Sequence, residues 1–107
     1  MTFTLIQVGM NLGDLRPGME NLDLEVNIVS LEEQREVENH RGVKHVLVGG
    51  VVKDDTASRE LTVWNDSIAL LEGVKPGDNV RFLNCFISSY KGVLSVNVGR
   101  ESGIEKL

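Results

Sequence analysis

The chain has 107 residues, 41% hydrophobic and 25% charged, with a formal net charge of −5; this is ordinary globular composition for one domain and excludes a wholly disordered chain. Its single cysteine excludes an intramolecular disulfide and a cysteine-based zinc site. No apolar run is long enough to span a membrane, and Met1 to Val8 lacks the basic segment of a secretory signal, so a soluble cytoplasmic domain is expected.

Acidic excess alone argues against nucleic acid, but the charge is unevenly spread. Residues 1–40 carry eight acids and two bases, whereas residues 41–107 carry nine bases and eight acids. A nucleic-acid site is therefore expected in the second part, with the acidic first part facing away from it.

Residues 1–12 read as an extension, with Phe3 to Val8 either an added edge strand or disordered, and residues 13–107 as a single domain. Gly13 to Gly18 is rich in turn residues. Leu22 to Leu31 alternates as a half-buried strand does, with Leu22, Leu24, Val26 and Ile28 on one face. Glu32 to Gly42 is polar and reads as a loop or hairpin turn, its glutamates a solvated edge or an acidic surface for a partner. Val43 to Val52 is a long β-branched strand, interrupted at Gly49-Gly50 by a bulge or bend. Lys53 to Ser58 is a turn and Arg59 to Trp64 a short strand. Asn65-Asp66-Ser67 offers helix caps ahead of a short helix, Ile68 to Glu72, that Gly73 stops. After the turn Lys75-Pro76-Gly77-Asp78 comes a strand from Asn79 to Ile87. Ser88 to Gly92 is a connection, and Val93 to Val98 is the last strand, with Ser95 and Asn97 opposite Leu94, Val96 and Val98.

Five strands with one short helix between the third and fourth suit an all-β, five-stranded Greek-key barrel, the OB fold. Other small β-barrels share the strand count, and alternation does not count closures.

If Leu61 and Val63 point inward, Trp64 points outward with Thr62. An outward tryptophan either packs under a loop or the terminus, or presents a binding face. Phe86 and Tyr90 stand among polar neighbours, yet alternation places Phe86 on the same face as Phe82. A core Phe82 and an outward Phe86 require a bulge between them. With Lys91 and Arg100, these three aromatics resemble a stacking platform with nearby cations, the arrangement that holds single-stranded nucleic acid. Cys85 reads as a small buried strand residue. His40 and His45 have no evident third metal ligand, and no catalytic constellation, cofactor motif or small-molecule site is expected.

Several stretches together resemble the archaeal single-stranded-DNA-binding proteins of the replication protein A type. They are Asp14 to Met19, Asp54-Asp55-Thr56, Leu61 to Asp66, Lys75 to Asp78, Tyr90 to Leu94 and Val98-Gly99-Arg100. The resemblance implies a single OB barrel that binds single-stranded DNA with little sequence preference in replication, recombination or repair. It implies base stacking on Trp64, Phe86 and Tyr90, and hence the bulge before Phe86. Phosphates are expected at Lys91, Arg100 and Arg41. Asn39, His40 and Asn97 are expected as further polar contacts, Asn39 and His40 from the first hairpin loop. Other replication or repair proteins are implied as partners. The chain departs from the family at Ala57, where glycine is usual, and at Asn97, where some relatives carry an aromatic. The rival readings are a protein-interaction barrel and a single-stranded-RNA binder, because a fold does not fix a function.

Overall fold

The computed structural model describes residues 10–107, so the expectation for Phe3 to Val8 lies outside the described residues. Seven strands form one sheet: β1 (Leu22–Leu31), β2 (Arg35–Glu38), β3 (Lys44–Lys53), β4 (Ser58–Trp64), β5 (Asn79–Tyr90), β6 (Val93–Val98) and β7 (Gly103–Lys106). Five of them, in the order β1-β3-β4-β6-β5, close on themselves through a β1–β5 pairing. All barrel neighbours are antiparallel except β4 and β6. This is the expected OB barrel, with β2 and β7 added at its margins.

Two bulges let short strands wrap a small core. In β1 the pairs Ile28–Val52 and Ser30–Val51 leave Val29 over, and β1 bends there. Gly50 faces that bend, where a Cβ would run into the Ser30 carbonyl oxygen. The Gly49-Gly50 step therefore allows a close backbone approach without interrupting β3. In β5 the pairs Leu24–Phe82 and Leu22–Cys85 set three residues against two, and Asn84 takes a positive φ of 53°. The faces of β5 switch at that point. Val80, Phe82, Cys85 and Ile87 all point inward, and Phe86 points out at 40% exposure.

The core consists of these residues with Leu24, Val26 and Ile28 of β1, Val48 and Val52 of β3, Leu61 and Val63 of β4, and Val96 and Val98 of β6. Cys85 is the buried strand residue that its position implies. Burial, foremost, and the nearby Asp23 charge push its thiol up to about 12, which leaves it protonated and unreactive at neutral pH.

The N-terminal end is clamped onto this core. Leu12, at the end of the expected extension, is fully buried. It opens a 3-10 turn, Leu12–Asp14, whose N–H groups at Leu12 and Gly13 donate to Asp54 Oδ2 and Thr56 Oγ1, both at 2.8 Å. Burial raises the Asp54 carboxyl, but hydrogen bonds from Leu12, Thr56 and Ala57 outweigh it and hold the group below its ordinary value. The Asp54–Ala57 turn that carries these acceptors closes without a positive φ at Ala57, so the absence of glycine there imposes no strain.

Three expectations are corrected. Part of the polar Glu32 to Gly42 segment is strand β2, a short charged edge strand paired to β3. β5 continues to Tyr90, because Lys91 and Gly92 alone make a two-residue hairpin turn, both at positive φ. The helix is a 3-10 helix, Asn65–Leu71. Asn65 to Ser67 supply no cap to it; the Ser67 hydroxyl is buried and donates to the Gly99 carbonyl at 2.6 Å.

Candidate nucleic-acid interface

The outer wall of β4, β6 and the second half of β5 gathers the three aromatics expected to act together. Register places Gly49, Thr62, Asn97 and Phe86 in one row across four strands, and Val51, Glu60, Ser95 and Ser88 in the next. The middle of this wall is a floor of small polar side chains, with Thr62 Oγ1 and Ser95 Oγ 3.0 Å apart. Trp64 stands two residues past Thr62, and Tyr90 four residues past Phe86. From ordinary strand geometry, Phe86 lies diagonally across two strands from Trp64 at roughly 12 Å, and Tyr90 lies roughly 13 Å further along β5. They are separate positions on the wall, not one sandwich.

Each aromatic is held differently. The Trp64 indole N–H donates to Asn97 Oδ1 at 2.9 Å, and the His45 ring meets it edge-on, 6.1 Å between centroids. Asn65 supports His45. Its Oδ1 accepts from the Val46 N–H, so its amide N–H is left to donate to His45 Nδ1 at 3.1 Å. Phe86 owes its outward direction to the Asn84 bulge. Asn84 is braced by its N–H to Asp23 Oδ1 (2.9 Å), its side-chain N–H to Glu101 O (3.1 Å), and its carbonyl, which accepts from Ser102 Oγ (2.7 Å). The Phe86 ring lies over Gly99, where a Cβ would sit 3.1 Å from Cε1. Tyr90 is 73% exposed at the hairpin end, with Lys91 Nζ 5.3 Å above its ring centroid.

Arg100 lies in the Gly99–Ser102 loop that also braces the bulge. It borders a hollow beside Trp64 and a smaller one, about 230 Å³, beside Phe86. Among the described residues, Arg41, Lys91 and Arg100 enter no ion pair. A larger hollow, about 600 Å³, lies elsewhere, against Glu25, Lys53, Asp54 and Asp55, where three carboxylates outnumber one cation and disfavour a phosphate.

The remaining expected residues part company. Asn97 does not reach outward to a ligand: it is 3% exposed, and its two amide hydrogens are shared among Phe86 O, Ser88 Oγ and Ser95 O while its oxygen accepts from Trp64. It holds the Trp64 indole and ties β5 to β6, and it is not itself a surface of the wall. Asn39 Oδ1 accepts from the Arg41 and Val43 N–H groups and shapes the β2–β3 turn. Asn39, His40 and Arg41 therefore sit at the tip of a hairpin that runs roughly 10 Å past the Leu47–Trp64 pair, clear of the aromatics. His45 and Asn65 carry no sequence signal for their part; the only hint is an Asn at a strand end, where a positive φ is cheap.

Glu32 brings one charge of the acidic first part onto this wall. Its N–H donates to Gly49 O at 2.8 Å, and its carboxylate lies over Gly49, where a Cβ would be 2.9 Å from Oε1. A negative charge thus stands at the β3 end of the row that reaches Phe86.

The chain is 27% identical over 93 residues to the single-stranded DNA binding protein Ssb of Saccharolobus solfataricus, a match covering 87% of this chain and 60% of that protein. Its fold superimposes on the replication factor A related protein of Methanobacterium thermoautotrophicum with a TM-score of 0.77, at 21% identity, covering 92% of this chain and 89% of the other. The second OB-fold domain of replication protein A from Methanococcus maripaludis gives a TM-score of 0.73 at 22% identity, covering 92% and 93%. Residues 15–106 match the family of single-stranded DNA binding proteins described as Ssb-like with an OB fold, and the chain belongs to that family.

Proposed function

We propose that this domain binds single-stranded DNA with little sequence preference, stacking bases on Trp64, Phe86 and Tyr90 and meeting phosphates with Arg100, Lys91 and, at the hairpin tip, Arg41. The observation that carries this reading is a wall of small polar residues with three outward aromatics, one of which, Trp64, is fixed through its ring to the buried Asn97. Stacking accepts any base because every base has a π-face. The name of the Saccharolobus relative points the same way, although the chain spans only 60% of that protein's length. Its cellular setting is the nucleoid within the cytoplasm, at strands exposed during replication, recombination or repair. No catalytic step is assigned.

Trp64 is the only tryptophan and serves as the probe. Titration with a dT oligomer of about 20 nucleotides at low salt is expected to quench its fluorescence saturably, and added salt to reverse the quenching. If Arg41, Lys91 and Arg100 each neutralise one phosphate, the log–log salt slope is roughly −2. Absence of both quenching and binding by anisotropy overturns the reading in favour of a protein-interaction barrel. A tighter complex with an rU oligomer turns it toward RNA.

Glu32 supplies a charge test that moves in the opposite direction. Glu32→Gln keeps the backbone bond to Gly49 and removes the carboxylate from the rim. Affinity for the dT oligomer is expected to rise about 2- to 5-fold at low salt, consistent with the worth of one exposed charge, and the gain should shrink as salt is added. An unchanged affinity at low salt means that the strand does not pass Gly49.

A further inference from the structure

Past the end of β4 the chain forms a half-open hollow of about 530 Å³, bordered by Trp64, Asp66, Leu70 and Arg100. That volume falls within the roughly 300–1,000 Å³ of small-molecule sites. Phe86 and Tyr90 take no part in it. It continues the diagonal of aromatics beyond its Trp64 end.

The groups around it divide into engaged and available. Asn65, Ser67 and Ser102 also border it, but the Asn65 amide already bonds the Val46 N–H and His45, and the two hydroxyls bond Gly99 O and Asn84 O. Among the described residues, the Arg100 guanidinium and the Asp66 carboxylate enter no hydrogen bond or ion pair, with each other or with another group. Leu70 is 37% exposed, whereas its helix neighbours Ile68 and Leu71 pack on the core. The hollow thus offers an aromatic wall, an apolar floor, one cation and one group that only accepts hydrogen bonds. A phosphate matches Arg100, and the face of a base matches Trp64 and Leu70. An ionised carboxylate accepts but does not donate. It therefore suits a base edge that presents an amino group and opposes one that presents a carbonyl. Cytosine offers the N4 amino group where thymine offers O4.

We propose that this hollow is a base-reading subsite for one nucleotide of the bound strand, adjacent to the one stacked on Trp64, and that Asp66 makes it favour cytosine over thymine. The inference rests on the single-stranded-DNA reading and adds a preference to it. The platform stays permissive, while one position at its end discriminates.

Homopolymers test this without knowledge of register, because every register fills the subsite with the same base. Labelled dC and dT oligomers of about 12 nucleotides are titrated by anisotropy against the wild-type chain and Asp66→Ala. The wild type is expected to bind dC about 3- to 10-fold more tightly than dT, the worth of one net hydrogen bond to a charged acceptor in partial contact with water. In Asp66→Ala the ratio is expected to fall to about 1. Loss of a negative charge relieves repulsion from the phosphates in both complexes alike, so the ratio isolates what Asp66 does at the base edge. A wild-type ratio near 1, or a ratio that survives the substitution, overturns the subsite and leaves the single-stranded-DNA reading intact. Failure of both oligomers to bind the wild type overturns that reading and the subsite with it.

Discussion

Trp64→Ala is expected to weaken binding of a dT oligomer by about 5- to 160-fold, the worth of one stacked base at roughly 1–3 kcal/mol. The upper half of that range is favoured by how firmly the ring is held. Its N–H is fixed to Asn97 and its edge rests on His45, so no rotamer freedom is lost when a base arrives. Tyr90, at 73% exposure and with only Lys91 over its ring, must be ordered on binding. Because the substitution removes the fluorophore, the measurement is anisotropy of a labelled strand. Trp64→Phe separates the two roles of the side chain. It keeps a stacking face but leaves Asn97 Oδ1 without its donor, and its affinity is expected between wild type and alanine. A loss under 2-fold for Trp64→Ala shows that the strand passes elsewhere on the barrel.

Legibility followed the period of the backbone. β1, β4 and β6 were readable because each sets an inward row of Leu, Ile and Val against a mostly polar outward row, whereas β3, with Leu47 and Val51 on its outward row, was readable only from its long β-branched run. Alternation fails where the backbone departs from period two. Asn84 in the left-handed region reverses the faces of β5, and an asparagine in a strand carries no mark of that conformation. Only the resemblance to a known family called for the bulge. The edges failed for a different reason. Arg35–Glu38 and Gly103–Lys106 are short and charged, as protected edge strands are, and such composition is indistinguishable from a loop. At the candidate site, the outward direction of Trp64 followed from Leu61 and Val63. The fate of Asn97 did not. Parity correctly set it beside Ser95 on the outer wall, but its burial comes from Trp64, Phe86 and Ser88, which reach it across strands. The carboxylate of Glu32 over Gly49 is likewise a contact between segments that no local pattern announces.

Asn97 is the side chain whose loss is expected to disturb stability and binding together. Its oxygen accepts from Trp64, and its amide reaches Phe86 O at 3.2 Å, Ser88 Oγ at 2.9 Å and Ser95 O at 3.1 Å. Asn97→Ala leaves those groups without their partner on a wall only 3% exposed at that point. A buried polar group left unsatisfied costs about 1–3 kcal/mol, so a fall of that order in the free energy of unfolding is expected in a urea titration. Partial entry of water beside the alanine keeps the loss from multiplying over all four contacts. Binding should weaken as well, about 3- to 10-fold, because the indole loses the bond that sets its plane. Placing Asn97→Ala in the Trp64→Ala background tells a positioning role from a merely structural one. If Asn97 acts on DNA through Trp64, its removal costs distinctly less affinity once the indole is gone, a coupling of about 0.5–1.5 kcal/mol. Additive losses would mean that Asn97 supports the barrel alone and that the orientation of Trp64 is set by His45 and Asn65.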